Sequence, residues 1–254
     1  MTIAAVFEQL ERFAPAALAQ DWDNVGILIG DSSRRVKKIL ISLDASPNAV
    51  NYAVDQGFDL ILSHHPLIFK PLKSVTHPVI LQMVENKIGL ISMHTNFDSA
   101  IGGVNHALAE SLEMEILEGL GEGDARDIGL ICSYQKSFCL SEIASFVKEK
   151  LNASGLRFWT AGWEDQQEIR RIAICGGAGG SVLALAEQKA DLLITGDISY
   201  HSFLDSHIPI IDAGHFATEY PALKTLQDFL APTGIPSEIF SREKHEWQLF
   251  MRYL

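Results

Sequence analysis

Two histidine–carboxylate pairs with the same spacing are the clearest chemical feature of this sequence. His94 precedes Asp98 by four residues and His215 precedes Glu219 by four, each pair directly after a short apolar segment. If a helix begins where a strand ends, residues four apart project from one face, and an imidazole with a carboxylate chelates a divalent cation. Either acid could instead cap or favour a helix amino terminus, but that alternative does not explain why both occur beside a histidine.

A third candidate is the histidine pair in Ser63-His64-His65-Pro66, which follows an apolar strand pattern. The carboxyl ends of strands are where open α/β sheets bind ligands. Because consecutive strand side chains point to opposite faces, His64 and His65 can share a site only if the strand ends there, which Pro66 favours. An isolated pair of this kind is typical of one buried and one solvated histidine. The two His-x-x-x-carboxylate pairs favour metal binding instead.

The donor types restrict the kind of metal and its number. Nitrogen and oxygen donors without thiolate suit Zn, Mn, Fe, Co or Ni better than Cu(I) or an iron–sulfur cluster, and Ca²⁺ would need more oxygens. The candidates are too many for one tetrahedral ion with an open position. Two divalent metal ions sharing a bridging carboxylate would use them, and such a pair usually activates water.

The elements that must position these residues occur twice in the chain. An apolar strand at 37–41, a helix at 47–56 and a second strand at 59–63 form a βαβ unit, and the same pattern recurs at 170–174, 181–188 and 191–195. The offset is 133 residues for the first strand (37 to 170) and 132 for the second (59 to 191). Similarity at one long offset indicates two related domains rather than a solenoid. We therefore predict an α/β fold with an internal duplication and the metal site between the halves.

The second copy of the repeat carries two further candidates. Thr195-Gly196-Asp197 stands where the first copy has Ser63-His64-His65, and His201 follows closely. Asp197 and His201 are candidates for orienting a ligand or transferring a proton, although a helix-capping Asp and a surface His are equally ordinary interpretations. The glycine-rich segment 176–181 could bring backbone N–H groups to a phosphate, but it lacks the spacing of a nucleotide-binding motif.

The boundary between the halves is predicted near residue 122. Residues 118–124 are glycine-rich, acidic and without periodicity, as in a linker. We assign 1–122 to the first α/β repeat and 123–235 to the second, and expect a C-terminal strand within 236–254 to return to the first.

Composition excludes several functional classes. The formal charge of -12 argues against nucleic acid as a partner, because phosphate-backbone binders need clustered Lys and Arg. No apolar run reaches membrane-spanning length, and the amino terminus does not have the pattern of a signal peptide. The three cysteines form no C-x-x-C pair and favour a reducing compartment. We expect a cytoplasmic protein.

The ordered set of motifs resembles the YbgI-like (NIF-three) family over nearly the whole chain. The motifs that carry the resemblance are Trp22-Asp23-Asn24-Val25-Gly26, Ser63-His64-His65-Pro66, His94-Thr95-Asn96-Phe97-Asp98, Gly102-Gly103, Thr195-Gly196-Asp197 and Gly214-His215-Phe216-Ala217-Thr218-Glu219. Together they are specific, although each alone would be weak.

The resemblance has implications for the site, the assembly and the activity. It implies a dinuclear centre whose ligands are His64, His65, Asp98, His215 and Glu219. It also implies two interlocked α/β domains and a toroidal homohexamer whose metal sites face an internal cavity. Several members carry the name GTP cyclohydrolase 1 type 2 homologue.

The leading hypothesis is therefore a metal-dependent hydrolase that acts on a nucleotide or another phosphorylated small molecule, with His94 or His201 moving the proton. The first alternative is a non-catalytic scaffold or regulatory interaction protein in which the ions staple the halves together. The second is a metal carrier.

Overall fold

The computed structural model describes residues 1–121, 128–165 and 167–241. The strands within these ranges are β1 (Gly26–Ile29), β2 (Ile39–Ser42), β3 (Leu60–Ser63), β4 (Gly89–Ser92), β5 (Glu115–Gly119), β6 (Leu130–Ser133), β7 (Arg157–Trp159), β8 (Ile172–Ala178), β9 (Leu192–Gly196), β10 (Ile210–Asp212) and β11 (Ser237–Ile239). The helices are α1 (Ile3–Phe13), α2 (Pro47–Asp55), α3 (Pro78–Glu85), α4 (Thr95–Asp98), α5 (Val104–Ser111), α6 (Leu140–Lys150), α7 (Leu183–Lys189), α8 (Tyr200–Asp205), α9 (His215–Glu219) and α10 (Ala222–Leu230), with short 3-10 turns at Ala16–Leu18, Gly179–Val182 and Ala231–Thr233.

The first compact unit contains Met1–Ile101 and the chain that returns from Leu223. Its five-stranded sheet has the order β1-β4-β3-β2-β11, and only β1 runs antiparallel to its neighbour. Every residue of β2, β3 and β4 is buried, as expected for parallel strands covered on both faces. Ser46 caps the crossover helix α2 by accepting a hydrogen bond from the Ala49 N–H, and Pro47 occupies its first turn.

The second compact unit contains Gly102–Ala222. Its six-stranded sheet has the order β5-β6-β8-β9-β10-β7. Strands β8, β9 and β10 run parallel, whereas β6 and β7 pair antiparallel with β8 and β10 at either side of them. Two sheets together with the helices that connect their strands confirm the predicted α/β class.

The local topology of the two sheets is alike. In each, three parallel strands follow one another in chain order, β2-β3-β4 in the first unit and β8-β9-β10 in the second. The last of the three has an antiparallel neighbour, which is β1 in the first unit and β7 in the second. The common origin of the halves stays a prediction from the sequence repeat, and this shared order is what such a repeat would produce.

The extents of the two units differ from the sequence estimate. The N-terminal segment of the first unit ends at Ile101 rather than near residue 122. The chain returns to this unit at Leu223, and β11 then pairs in parallel with β2. Glu118 and Gly119, predicted to lie in a linker, form the end of β5. Residues 122–127 of that segment, and the predicted strand at 246–253, lie outside the described residues. Within the described ranges, no helix is both long and apolar enough to cross a membrane.

Candidate metal centre

The parallel strands of the first unit end in a row of buried serines, Ser42, Ser63 and Ser92, which lie in register on β2, β3 and β4. Two of these hydroxyls fix the histidine backbone. Ser63 Oγ donates to the His65 carbonyl and Ser92 Oγ donates to the His64 carbonyl, both at 2.8 Å. The chain beyond β3 is thereby held where the strand ends, at the sheet edge that open α/β folds use for ligands.

Three imidazole rings gather at this edge of the first unit. The ring centroids of His64, His65 and His94 lie between 4.9 and 5.7 Å apart. One ligand nitrogen from each of the three lies within 4.8 Å of those of the other two, which is close enough to hold a metal ion. His64 is 1% exposed, whereas His65 and His94 are half-buried. We refer to these three residues as the histidine cluster.

Every ring of the histidine cluster is anchored through its Nδ1 atom. The pairs are His64 Nδ1 with Met93 O at 2.7 Å, His65 Nδ1 with Asp44 Oδ1 at 3.0 Å, and His94 Nδ1 with Asp23 Oδ1 at 2.8 Å. A carbonyl or carboxylate oxygen can only accept, so Nδ1 carries the proton in each pair. In a neutral ring the lone pair then lies on Nε2, the usual arrangement of metal-binding histidines.

Asp98 joins the histidine cluster from helix α4. Its Oδ1 atom lies 3.6 Å from the Nε2 atom of His64. The sequence paired Asp98 with His94 on one helical face, but His94 occupies the position before α4 and its Nδ1 contacts Asp23. The structure thus places Asp98 at His64.

The other predicted pair lies on helix α9 of the second unit. His215 is the first residue of this helix and Glu219 is its last. His215 Nε2 lies 3.0 Å from Glu219 Oε1, and His215 Nδ1 lies 2.9 Å from Asp197 Oδ2. A neutral imidazole has only one N–H, so two carboxylate contacts require a second proton or a cation. Glu219 is 3% exposed, and this pair is therefore chemically suited to hold a positive charge.

Asp212 fixes the loops that carry Asp197 and His215. Its buried carboxylate accepts hydrogen bonds from Ile198 N at 3.0 Å and Gly214 N at 2.9 Å, and it pairs with the guanidinium of Arg157. Asp197 adopts a left-handed backbone conformation with φ +52°, which Asp tolerates better than most residues. The hydrogen bonds to Asp212 therefore hold the Asp197 carboxylate near the His215 ring.

The glycine-rich segment provides space for this pair. Gly177 has φ +67°, and a Cβ there would lie 2.2 Å from Glu219 Oε1 and 3.2 Å from His215 Nε2. A Cβ at Gly196 would lie 2.6 Å from the backbone nitrogen of His215. The sequence interpretation of 176–181 as a weak phosphate-binding loop missed this role, because close packing against a distant helix has no local signature.

His201 is exposed on α8. Its ring lies edge-on to Tyr200 at a centroid distance of 5.5 Å.

Sequence reasoning missed Asp23 and Asp44 as partners of the histidine cluster. Asp44 follows β2 by two residues, so its place at the carboxyl edge of the sheet was a usable signal. Asp23 belongs to a turn, and only the fold brings it to His94.

The Asp23 carboxyl group has a lowered pKa. Burial alone raises the pKa of Asp23, but hydrogen bonds from His94 and Thr95 and the charge of His94 outweigh that effect and lower the pKa to about 2. Asp23 Oδ2 accepts from Thr95 N at 3.0 Å as well as from the Thr95 hydroxyl. Asp23 is therefore an ionised acceptor that fixes the orientation of the His94 ring.

Comparison with known proteins identifies the family. The family model Duf34/NIF3 (NGG1p interacting factor 3) matches residues 1–244. A Clostridium perfringens protein named GTP cyclohydrolase 1 type 2 homolog is 34% identical over 235 residues, which cover 88% of each chain. The Drosophila melanogaster NIF3-like protein 1 is 34% identical over 217 residues, covering 80% of this chain and 72% of that protein.

A solved structure with a similar fold is that of the Staphylococcus aureus hypothetical protein SA1388. It has a TM-score of 0.87 and 30% identity, and the match covers 95% of this chain and 96% of that one. This chain is thus a two-sheet α/β protein with histidine and carboxylate groups at strand ends, and it shares its fold with the Staphylococcus aureus protein. The chain is a member of the Duf34/NIF3 family, as its sequence motifs predicted.

The space that Gly177 leaves beside Glu219 and His215 generates one prediction. Gly177→Ala should lower the affinity for Zn²⁺ by about 10- to 100-fold, because the new methyl group displaces the Glu219 carboxylate that faces His215. Gly162→Ala is the matched control, since Gly162 also has a positive φ (+78°) and a Cβ at that position meets nothing within 4 Å. Isothermal titration with Zn²⁺ checks both variants. Equal affinity in the two would show that Gly177 does not position this pair.

The Asp23 carboxyl generates a second prediction, made for protein kept metal-free with EDTA. Because the folded pKa of Asp23 is depressed, its stabilising effect is present above the unfolded value and is lost as the pH falls from about 4 to about 2. Asp23→Asn should therefore reduce the free energy of unfolding by roughly 2 kcal/mol at neutral pH and by less below pH 4. Urea unfolding between pH 3 and 7 measures this, with exposed Asp55→Asn as the control. A difference independent of pH would contradict the assignment.

Proposed function

We propose that this protein is a dinuclear divalent-metal-dependent hydrolase acting on a nucleotide or another phosphorylated small molecule. The observation that carries the proposal is the common orientation of four histidines. His64, His65, His94 and His215 each have an oxygen acceptor at Nδ1. Ordinary packing does not require this shared anchoring. Metal ligation through Nε2 benefits from it at His64, His65 and His215, and proton transfer through Nε2 benefits from it at His94.

The proposed ligands are His64, His65, Asp98, His215 and Glu219. The second unit supplies an incomplete set by itself, since one imidazole and one carboxylate are too few for a closed site. We propose that both sets bind the same two ions. The carboxylates support the choice of these five ligands, because Asp98 lies against Nε2 of His64 and Glu219 lies against Nε2 of His215. Zn, Mn, Fe, Co and Ni all suit these donors.

Ions bound in such a site would supply Lewis acidity and lower the pKa of water. The chain's own contribution to proton transfer is assigned to His94, which the Asp23 carboxylate orients through Nδ1. The ionised Asp23 stabilises the imidazolium formed when His94 Nε2 accepts a proton. This step is assigned to His94 rather than to His201, which is exposed and packs against Tyr200. Asp197 is assigned to orienting His215.

The names of relatives support a nucleotide as substrate, since the Clostridium perfringens relative is called a GTP cyclohydrolase 1 type 2 homolog. That name describes the relative, and for this chain the substrate class is part of the proposal. Assembly into a homohexamer and a cytoplasmic location are proposed on the family resemblance and on composition.

A second candidate function is that of a non-catalytic interaction protein in which the metal ions hold the two halves together. It is favoured by the description of the matching family as an NGG1p interacting factor. Metal removal would then cause disassembly, and no compound would be hydrolysed.

The experiment combines metal analysis with turnover in protein purified without chelator or nickel affinity. Wild type should contain about two ions per chain. His64→Ala and Glu219→Ala should lose metal and activity on a panel of GTP and simple phosphoesters, whereas exposed His207→Ala should retain both. His94→Ala should keep its metal but lose about 10²- to 10⁴-fold in rate.

The outcomes separate the candidates. Unchanged metal content in both His64→Ala and Glu219→Ala would contradict the ligand assignment. Stoichiometric metal in wild type with no turnover of any compound, together with disassembly on chelation, would favour the interaction protein. A His94→Ala variant with full activity would remove His94 from proton transfer and leave the metal assignment intact.

A further inference from the structure

Two large aromatic side chains lie exposed beside the histidine cluster. Trp22 is 58% exposed and Phe69 is 44% exposed. Their ring centroids are 5.6 Å apart with an interplanar angle of 43°. Both rings also meet His94 edge-on, Trp22 at 6.2 Å and Phe69 at 6.4 Å. We call Trp22 and Phe69 the aromatic pair. Large exposed apolar side chains that lie together, rather than scattered singly, commonly mark a binding site.

The aromatic pair is held by the residues that also hold His94. Asp23, next to Trp22, binds His94 through one carboxylate oxygen and Thr95 through the other. Asn24 donates from its side-chain amide to the carbonyl of Ile68, the residue before Phe69. These contacts tie the two segments together, so both rings are positioned before a ligand arrives. Such preorganisation lowers the entropic cost of binding.

The segment that carries Phe69 has an unusual charge for this protein. Residues 64–84 contain no Asp or Glu, although the chain has a formal net charge of -12. The same segment contains Lys70, directly after Phe69, and Lys73, both exposed. A local excess of positive charge attracts anionic ligands. The aromatic pair and the lysines therefore favour a ligand that is both planar and anionic.

We propose that the aromatic pair is a subsite for the planar ring of an anionic ligand, such as the base of a nucleoside monophosphate. The ring would stack on Trp22 with Phe69 at its edge, which places the rest of the ligand at His94. This inference rests on the proposed function, because it names the residues through which that site recognises its substrate class. The motif Trp22-Asp23-Asn24 thereby gains a role for each of its members.

The test compares two probes that share a ribose 5-phosphate group, guanosine 5′-monophosphate with a base and ribose 5-phosphate without one. Isothermal titration of the metal-loaded protein should show tighter binding of the nucleotide. Trp22→Ala should weaken nucleotide binding about tenfold and leave ribose 5-phosphate binding unchanged. Trp22→Phe should retain part of the preference, and Phe69→Ala gives an independent measurement. Leu72→Ala is the control, because it removes an exposed apolar side chain of the same segment that has no ring.

Each outcome decides the proposal. Equal binding of the two probes by wild type, or a nucleotide preference that survives both Trp22→Ala and Phe69→Ala, would overturn it. Sedimentation of the same variants tests whether a second copy covers the pair. Dissociation of an oligomer with the preference intact would make the pair a subunit contact and also overturn the subsite. If base preference depends on Trp22 but no phosphoester is hydrolysed, the proposed hydrolase fails and the subsite stands.

Discussion

A hydrogen bond at Nδ1 fixes the orientation of four imidazole rings, those of His64, His65, His94 and His215, and the candidate site depends on this constraint. The acceptor is a backbone carbonyl for His64 and a carboxylate for His65, His94 and His215. These acceptors fix the proton on one side of each ring and direct the Nε2 lone pair to the other. Clustering several imidazoles would otherwise be unfavourable, because their desolvated nitrogens would lack partners.

The fold makes these hydrogen bonds possible by ending parallel strands at one edge. Ser63 and Ser92 hold the carbonyls of the two consecutive histidines, so the backbone itself is fixed before the side chains are oriented. In the second unit the same result is reached by other means. Gly177 provides space for the His215–Glu219 pair, and Asp212 holds the flanking loops. The two halves thus share a strand order while differing in how they position donors.

The sequence predicted the elements of the fold and part of the site. The alternation of apolar strands and helices was sufficient for the α/β class, and the spacing of His215 and Glu219 correctly predicted a helix that begins at His215. The partners of the histidines were harder to predict. Asp23 reaches His94 across 71 residues of chain, and no periodicity records such a contact. The sequence predicts a linker at the end of β5 because residues 118–124 are glycine-rich, acidic and without periodicity. Glu118 and Gly119 nevertheless pair with β6, a tertiary contact that local composition does not record.

The most direct test of the account is a crystal structure of the metal-loaded protein, with anomalous scattering used to locate the ions. The dinuclear assignment predicts two peaks about 3.5–4 Å apart, with Nε2 of His64, His65 and His215 as ligands at about 2.0–2.1 Å if the metal is Zn²⁺. The Nδ1 hydrogen bonds to Met93, Asp44 and Asp197 should be unchanged. Ions bound through Nδ1, or no anomalous peak at these histidines in a crystal soaked with the metal, would contradict it.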